Sequence, residues 1–530
     1  MKKLLLSLIC CLPGYMVNAQ ESPLIIPTPA EYQKGKNSFL LSDKTAINFS
    51  EDLLQEEAHY LQKELLRKRQ LPLVMEKAGH GNQNISLQII PTIKEGYQLT
   101  ISETNITISS ATETGIFHGI ISLVQLIEQA ERGPSGLTLP TWQITDRPLY
   151  DWRGFMLDES RHFFGIEKVK SLLDWMAYYK LNKFHWHLTD APGWRIEIKK
   201  YPKLALVGGI GNQTNPFSPA QYYTQEEIKE IVQYAAERKI EVIPEIDMPG
   251  HATAANKAYP EYSGGGSEKH PEFTFHPGKE ATYQYLTNIL KEVNVLFPSQ
   301  MIHLGGDEVS FGNQKWKTDP EVQDLMNAEN LTNLKEVEDY FMKRMADSLY
   351  SLNNQLLAWD EMAEAGLPTD KSILLWWRHD KPEQLQKLLK NDIQTIICPR
   401  IPFYFDFVQQ EEDRFGRKWA GTFNPLERVY NFNEADLNVP ANKKHLILGI
   451  QANLWTETVT DENRLDYLTF PRIAALAESA WTAPEHKDFE NFSDRLKKHL
   501  TLYKDASLYF HNPFDPKLHP EPIMRTSLRK

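Results

Sequence analysis

Cysteine is nearly absent from this chain of 530 residues, which holds three. Two of them, Cys10 and Cys11, fall in a leader-like segment. An exported chain without that segment keeps only Cys398, so an intramolecular disulfide is excluded and stability rests on packing. Excess basic charge is missing too: 58 Lys and Arg face 70 Asp and Glu, a net charge of -12, and no Lys/Arg-dense stripe occurs. That balance argues against nucleic acid or any other polyanionic partner. After the first residues no apolar run reaches the roughly 20 residues a membrane helix needs, so no membrane span is expected. There is no repeat of fixed period and no low-complexity tract beyond Gly264-Gly265-Gly266.

Several features remain. Lys2 and Lys3, the apolar Leu4 to Leu12, and Val17-Asn18-Ala19 read as a secretory leader over residues 1–19. This predicts export to the periplasm or the outside. Ile9 is a poor residue to precede a lipidated Cys10, which also comes early, so a free form is favoured over a lipid-anchored one. Length and 41% apolar content allow two or three domains with a large core. Twelve tryptophans are many. Most tryptophans are core residues, but their faces also suit sugar rings.

The most informative run is Met301-Ile302-His303-Leu304-Gly305-Gly306-Asp307-Glu308. An apolar strand runs into two glycines, where the backbone can turn sharply and accept a close neighbour, and then delivers two carboxylates together. The plainer reading is an acidic first turn on the next helix.

Residues 20–146 read as a small α+β domain. Alternation at Tyr97, Leu99, Ile101 and at Ile106, Ile108 predicts a hairpin turning at Glu103-Thr104-Asn105, with helices over Glu51 to Arg69 and Gly115 to Ile127. Residues 147–490 alternate short apolar strands with helices. The strands are Arg153 to Asp158, Lys183 to Leu188, Ile240 to Glu245, Gln300 to Leu304, Gln355 to Trp359, Ser372 to Trp377, Ile393 to Cys398 and Leu446 to Gln451. The helices include Ile166 to Lys180, Thr224 to Arg238, Ala281 to Phe297, Val337 to Leu352 and Arg464 to Trp481. Eight such units predict a (β/α)8 TIM barrel, in the α/β class, with its site at the C-terminal strand ends. A doubly wound open sheet is the runner-up. Residues 491–530 are read as an extension packing on the barrel, and the long connection Pro399 to Lys444 as a substrate loop.

The polar residues fall where a barrel site needs them, and their motifs resemble those of glycoside hydrolase family 20, the exo-acting β-N-acetylhexosaminidases. They are Leu157-Asp158-Glu159-Ser160-Arg161-His162-Phe163, His185-Trp186-His187-Leu188-Thr189-Asp190, Pro244-Glu245-Ile246-Asp247-Met248-Pro249-Gly250-His251, His303 to Glu308, and Trp455-Thr456-Glu457. Ala191-Pro192 depart from the pattern, where many members carry a second acidic residue.

Neighbouring carboxylates cannot easily straddle a glycosidic bond, so one should protonate the leaving oxygen while the other serves a nucleophile that belongs to the substrate, as the resemblance also implies. Glu308 would be the general acid and then base, and Asp307 would accept the acetamide N–H. Tyr404 would donate to the acetamide oxygen. The resemblance further implies that Arg161, Asp406 and Glu457 bind ring hydroxyls. Trp359, Trp377, Trp419 and Trp455 would form the aromatic walls, with Trp376 able to exchange roles with Trp377. Asp190 and His251 would stand behind the acid, His251 bonding Glu308 and Asp190 fixing the imidazole, although a buried structural histidine is the plainer reading of His251. Asp158 and Glu245 are read as structural. The expected partner is an oligosaccharide or glycoconjugate, with no metal or other cofactor. Two alternatives are a metal-dependent hydrolase using His185, His187, His251, His303, Asp190 and Asp307, and a non-catalytic carbohydrate-binding protein.

Overall fold

The computed structural model describes residues 21–77, 83–418 and 420–524. The leader at 1–19 and Trp419 lie outside the described residues.

The first region folds around a mixed sheet with two helices on it. Across the sheet run Glu31–Leu41, Gly136–Asp146, Tyr97–Ile101, Asn105–Ser110, Asn84–Ile89, Ala46–Phe49 and Val74–Lys77, with Glu131–Gly133 beside Gly136–Asp146. The expected hairpin is present, pairing Leu99 with Ile108. The helices are Gln55–Arg69 and Glu113–Glu128. Thr112 opens the second by accepting the Gly115 amide at 3.1 Å, and Ile116, Ile120, Leu123 and Ile127 are buried on its inner face.

Eight parallel strands close into a barrel, so the open sheet is not the fold. In chain order they are Trp152–Asp158, Lys183–His187, Glu241–Met248, Met301–Gly305, Gln355–Trp359, Ser372–Trp376, Gln394–Ile397 and Ile447–Leu454. Closure is made by the eighth strand on the first, Gly449 beside Trp152 through Leu454 beside Leu157. Register sets Asp158 against His187, His187 against Glu245 and Glu245 against His303. Polar residues from four strands thereby share one layer at the barrel's C-terminal end.

The helix expected over Arg464 to Trp481 is two helices, Glu462–Thr469 and Arg472–Trp481. Pro471, which lacks an amide hydrogen and crowds the preceding turn, separates them. The C-terminal helix, Phe489–Asp505, starts before residue 491 and lies on the barrel through Arg495–Glu478 at 2.6 Å and Tyr503–Tyr179 at 2.6 Å. Asp146 ties sheet to barrel, binding Lys180 at 3.0 Å and the Trp481 indole at 2.8 Å in full burial.

Candidate active site

The Gly-Gly-Asp-Glu turn forms as its composition demands. Gly305, Gly306 and Glu308 all have positive φ, at 69, 90 and 51°, so the chain leaves the fourth strand in a tight left-handed bend. Gly305 has no room for a side chain: an added Cβ would lie 1.8 Å from Asp247 Oδ1. Its close neighbour is therefore an internal carboxyl group and not a ligand. A short 3-10 turn, Val309–Phe311, follows, but Glu308 makes no capping bond with its side chain. The carboxyl group is left to the pocket.

His251, also left-handed at φ 55°, faces this pair from the loop after the third strand. Its Nδ1 is 2.9 Å from Asp190 Oδ1, while Nε2 lies 3.6 Å from Asp307 and 3.8 Å from Glu308. Asp190 thus fixes the imidazole as expected. The expected direct bond from His251 to Glu308 is not formed, because the ring sits between both carboxyl groups beyond hydrogen-bond range. Phe273, from the turn pairing Ser263–Gly265 with Thr274–Phe275, packs on the ring at 4.8 Å.

Electrostatics divide these groups. Burial raises Asp307 to about 7, with His251 opposing and the charges of Glu308 and Glu361 adding. Glu308 is raised by the same desolvation, opposed by His251 and reinforced by Glu361. Burial works against charge on His251, yet Asp190 and Asp307 outweigh it and lift the ring to about 9. Asp190 is held well below the usual carboxylate range: burial is overcome by Arg161, 2.6 Å away, and by His251.

Beneath them Glu245 is a fully buried anchor. It lies 2.5 Å from His187 Nδ1 and 3.0 Å from His185 Nε2, and accepts the Trp359 indole at 2.9 Å. The other nitrogen of His187 is 3.1 Å from Asp190. Two acceptor carboxylates make that ring a double donor, and despite burial they lift it to about 10. Asp158 accepts the Ser160 amide at 2.8 Å and the Thr456 amide at 3.0 Å, and so joins the first and eighth strand ends. Both acids hold the scaffold, as their buried strand-end positions suggested. Ala191-Pro192 sit in a tight hairpin in which the Ala191 amide donates to Asp190 at 2.5 Å.

The aromatic residues cap the barrel's inner core. Trp359, Tyr404 and Trp455 belong to its cluster of buried side chains, and Trp377 packs against them. Trp377 stacks on Tyr404 with centroids 6.2 Å apart and an interplanar angle of 11°. Trp359 lies 5.8 Å from Trp455, and Tyr404 lies 6.1 Å from Trp455. Trp376 instead joins the core outside the barrel. The Arg161 guanidinium lies 4.9 Å over Trp455.

Two neighbours were not foreseen. Glu361 accepts the Trp377 indole at 3.0 Å; an acidic residue just past the fifth strand was the available signal. Arg417, in the long connection, reaches Asp406 at 3.3 Å and Glu457 at 2.5 Å, and no spacing pattern announced it. Burial raises Asp406 to about 7, with Arg417 opposing.

Among the described residues four groupings could hold a metal: His185–Glu245–His303, His187–Asp190–Asp247, Asp247–His251–Asp307 and His276–Asp319–Glu321. In the first, His185 takes a bond from Gln451 at its other nitrogen and Glu245 is occupied as described. In the second, both His187 nitrogens serve as donors. In the fourth, His276 Nδ1 accepts the Gly278 amide, which leaves Nε2 protonated toward the acids. The third is the His251 and Asp307 arrangement itself, an imidazole 3.6 Å from Asp307 whose other nitrogen is held by Asp190.

Comparison with known proteins agrees with this architecture. Residues 150–484 match the family described as Glycosyl hydrolase family 20, catalytic domain, and residues 22–147 match its domain 2. A β-hexosaminidase of Porphyromonas gingivalis is 34% identical over 95% of this chain and 68% of its own length. A solved exo β-N-acetylglucosaminidase of Vibrio harveyi, in complex with N-acetylglucosamine, superposes with a TM-score of 0.86 at 32% identity, covering 93% of this chain and 79% of that one. A β-N-acetylhexosaminidase structure from Bacteroides fragilis gives 0.81 at 32% identity, covering 92% and 96%. Matched along its barrel and the domain before it, this chain belongs to glycosyl hydrolase family 20.

Proposed function

We propose that this glycoside hydrolase removes terminal, non-reducing β-linked N-acetylglucosamine or N-acetylgalactosamine from glycans, with retention of configuration and with the substrate's own acetamide as nucleophile. The observation that carries the reading is the pair Asp307 and Glu308, delivered together by one tight turn at the barrel end that also carries the aromatic cluster of Trp359, Trp377, Tyr404 and Trp455. Glu308 protonates the leaving oxygen as the C1–O bond breaks. The acetamide oxygen closes on C1 to give an oxazolinium ion, and Asp307 holds the N–H as positive charge forms. Tyr404 donates its phenol to the same oxygen and directs it. Water then attacks C1, Glu308 takes its proton, and the ring reopens to the retained sugar. Arg161, Asp406 and Glu457 accept and donate at the ring hydroxyls.

The test compares an aryl N-acetyl-β-glucosaminide with the matching aryl β-glucoside. The first should turn over and the second should be nearly inert. Equal rates on both, or a glycosyl ester trapped on an Asp or Glu side chain, would refute the acetamide as nucleophile. No turnover of either would favour a binding protein.

A further inference from the structure

The polar end of the pocket is held by a segment remote from it in sequence. Arg417 connects Asp406 to Glu457, yet its side chain is 49% exposed. A long, half-exposed side chain keeps much rotamer freedom unless its backbone is fixed. Here it is fixed from two directions. At the base of the turn, Phe407 bridges Arg417, the Arg417 amide donates to Asp406 O at 3.1 Å, and Val408 donates to Arg417 O at 3.1 Å. At the tip, the Glu521 carboxylate accepts the backbone amides of Arg414 at 2.5 Å and Phe415 at 3.0 Å.

Glu521 is itself held. Arg464, fully buried, lies 3.3 Å from its carboxylate and donates to Pro522 O at 2.5 Å. The same guanidinium donates to Thr458 O at 2.7 Å, next to Glu457. The Tyr509 hydroxyl adds a bond to Pro520 O at 2.8 Å. One buried arginine thus connects the chain beside Glu457 to the carboxylate that holds the turn before Arg417. Charge-assisted bonds to backbone amides are strong enough to order such a turn.

We propose that Glu521, seated on Arg464, is a positioning residue for the sugar pocket: it fixes the 414–417 turn so that Arg417 keeps Asp406 and Glu457 aligned for the ligand's ring hydroxyls. This rests on the proposed reading of Asp406 and Glu457 as hydroxyl-binding residues. It also gives the C-terminal segment a part in recognition beyond packing on the barrel.

Glu521→Ala, Glu521→Gln, Arg417→Ala and the double variant Glu521→Ala/Arg417→Ala test this in the full chain. Titration calorimetry with N-acetylglucosamine gives Kd, and turnover of the aryl N-acetyl-β-glucosaminide gives KM and kcat. Kd and KM should rise about fivefold to tenfold in Glu521→Ala and in Arg417→Ala, more than kcat falls. The double variant should be no worse than Arg417→Ala, because both act on one alignment. Glu521→Gln, which keeps one acceptor oxygen, should fall between. Thermal melting of every variant separates loss of fold from loss of alignment. Unchanged Kd in a folded Glu521→Ala, or penalties that multiply in the double variant, would overturn the inference. Absence of turnover in the unaltered protein would refute the proposed reaction instead, since sugar binding is read separately.

Discussion

Asp307→Asn should stabilise this protein at alkaline pH while removing most of its activity. The Asp307 carboxyl group has a side chain 12% exposed and is raised by burial to about 7 from an ordinary value of 3.8. The native state therefore binds this proton more tightly than the unfolded chain. Between about pH 4 and pH 7 folding takes up a proton, so stability falls as pH rises through that window. Below it Asp307 is neutral in both states and costs nothing; above it the whole cost of ionising a dry carboxylate is present. At about 1.4 kcal/mol per unit the ceiling is about 4 kcal/mol, and relaxation of the pocket should leave about 1–2 kcal/mol.

Asparagine has the same shape and no charge. Its unfolding midpoint should exceed that of the unaltered protein by a few degrees at pH 8 and match it near pH 4.5. Turnover of the aryl N-acetyl-β-glucosaminide should fall about 10²- to 10³-fold, the usual effect of removing one group that stabilises transition-state charge. Melting scans at the two pH values, beside kinetics at each, are the assay. A midpoint that shifts equally at both values, or falls at pH 8, would refute the argument that this carboxyl group is held against its preferred charge state.

The neighbours of Glu308 should move the alkaline limb of kcat/KM in opposite directions. His251 lowers the Glu308 pKa and Glu361 raises it, so His251→Gln should shift that limb upward and Glu361→Gln downward; shifts of the same sign would show that Glu308 does not set the limb. Gly305→Ala should not fold normally, since φ 69° costs a side chain roughly 1–2 kcal/mol and the new Cβ would meet Asp247 Oδ1 at 1.8 Å. Adding Asp247→Ala should recover soluble protein, and recovery no better than in Gly305→Ala alone would place the strain elsewhere.

The barrel was legible because each of its strands is a short apolar run between polar ends, and register then brings those ends into one layer. The first region was legible at one hairpin and its two helices, and not in the rest of its sheet. Glu31–Leu41 is largely exposed in its first eight residues, Glu31 to Ser38, so it lacks the alternating burial that announces a strand. Strand-end residues such as Asp190, His251, Asp307 and Glu308 could be placed because the fold collects strand ends. Arg417 could not, because its position depends on Glu521 and Arg464, whose meeting with the 414–417 turn is fixed only by tertiary packing. Pro471 was in plain view, and the helical periodicity on either side of it obscured the break.

Burial is the first cause of the raised carboxyl groups, and a charge count over the layer beneath them shows why it is not offset. Arg161, His187 and His251 supply three positive groups, and Asp158, Asp190 and Glu245 supply three carboxylates in contact with them. The layer is balanced before Asp307 or Glu308 is considered. A further ionised carboxylate in that dry setting has no full partner, so it keeps its proton longer, and Asp247, packed between Gly305 and the others, is raised for the same reason. Under the proposed reading, the missing partner would be the cation that forms from the acetamide. In the proposed reaction, positive charge developing on the closing oxazolinium ring would give Asp307 the counter-charge that the resting protein withholds. An interaction that is unfavourable in the empty pocket and favourable only as the reaction proceeds lowers the barrier, whereas one satisfied beforehand would stabilise ground and transition states alike.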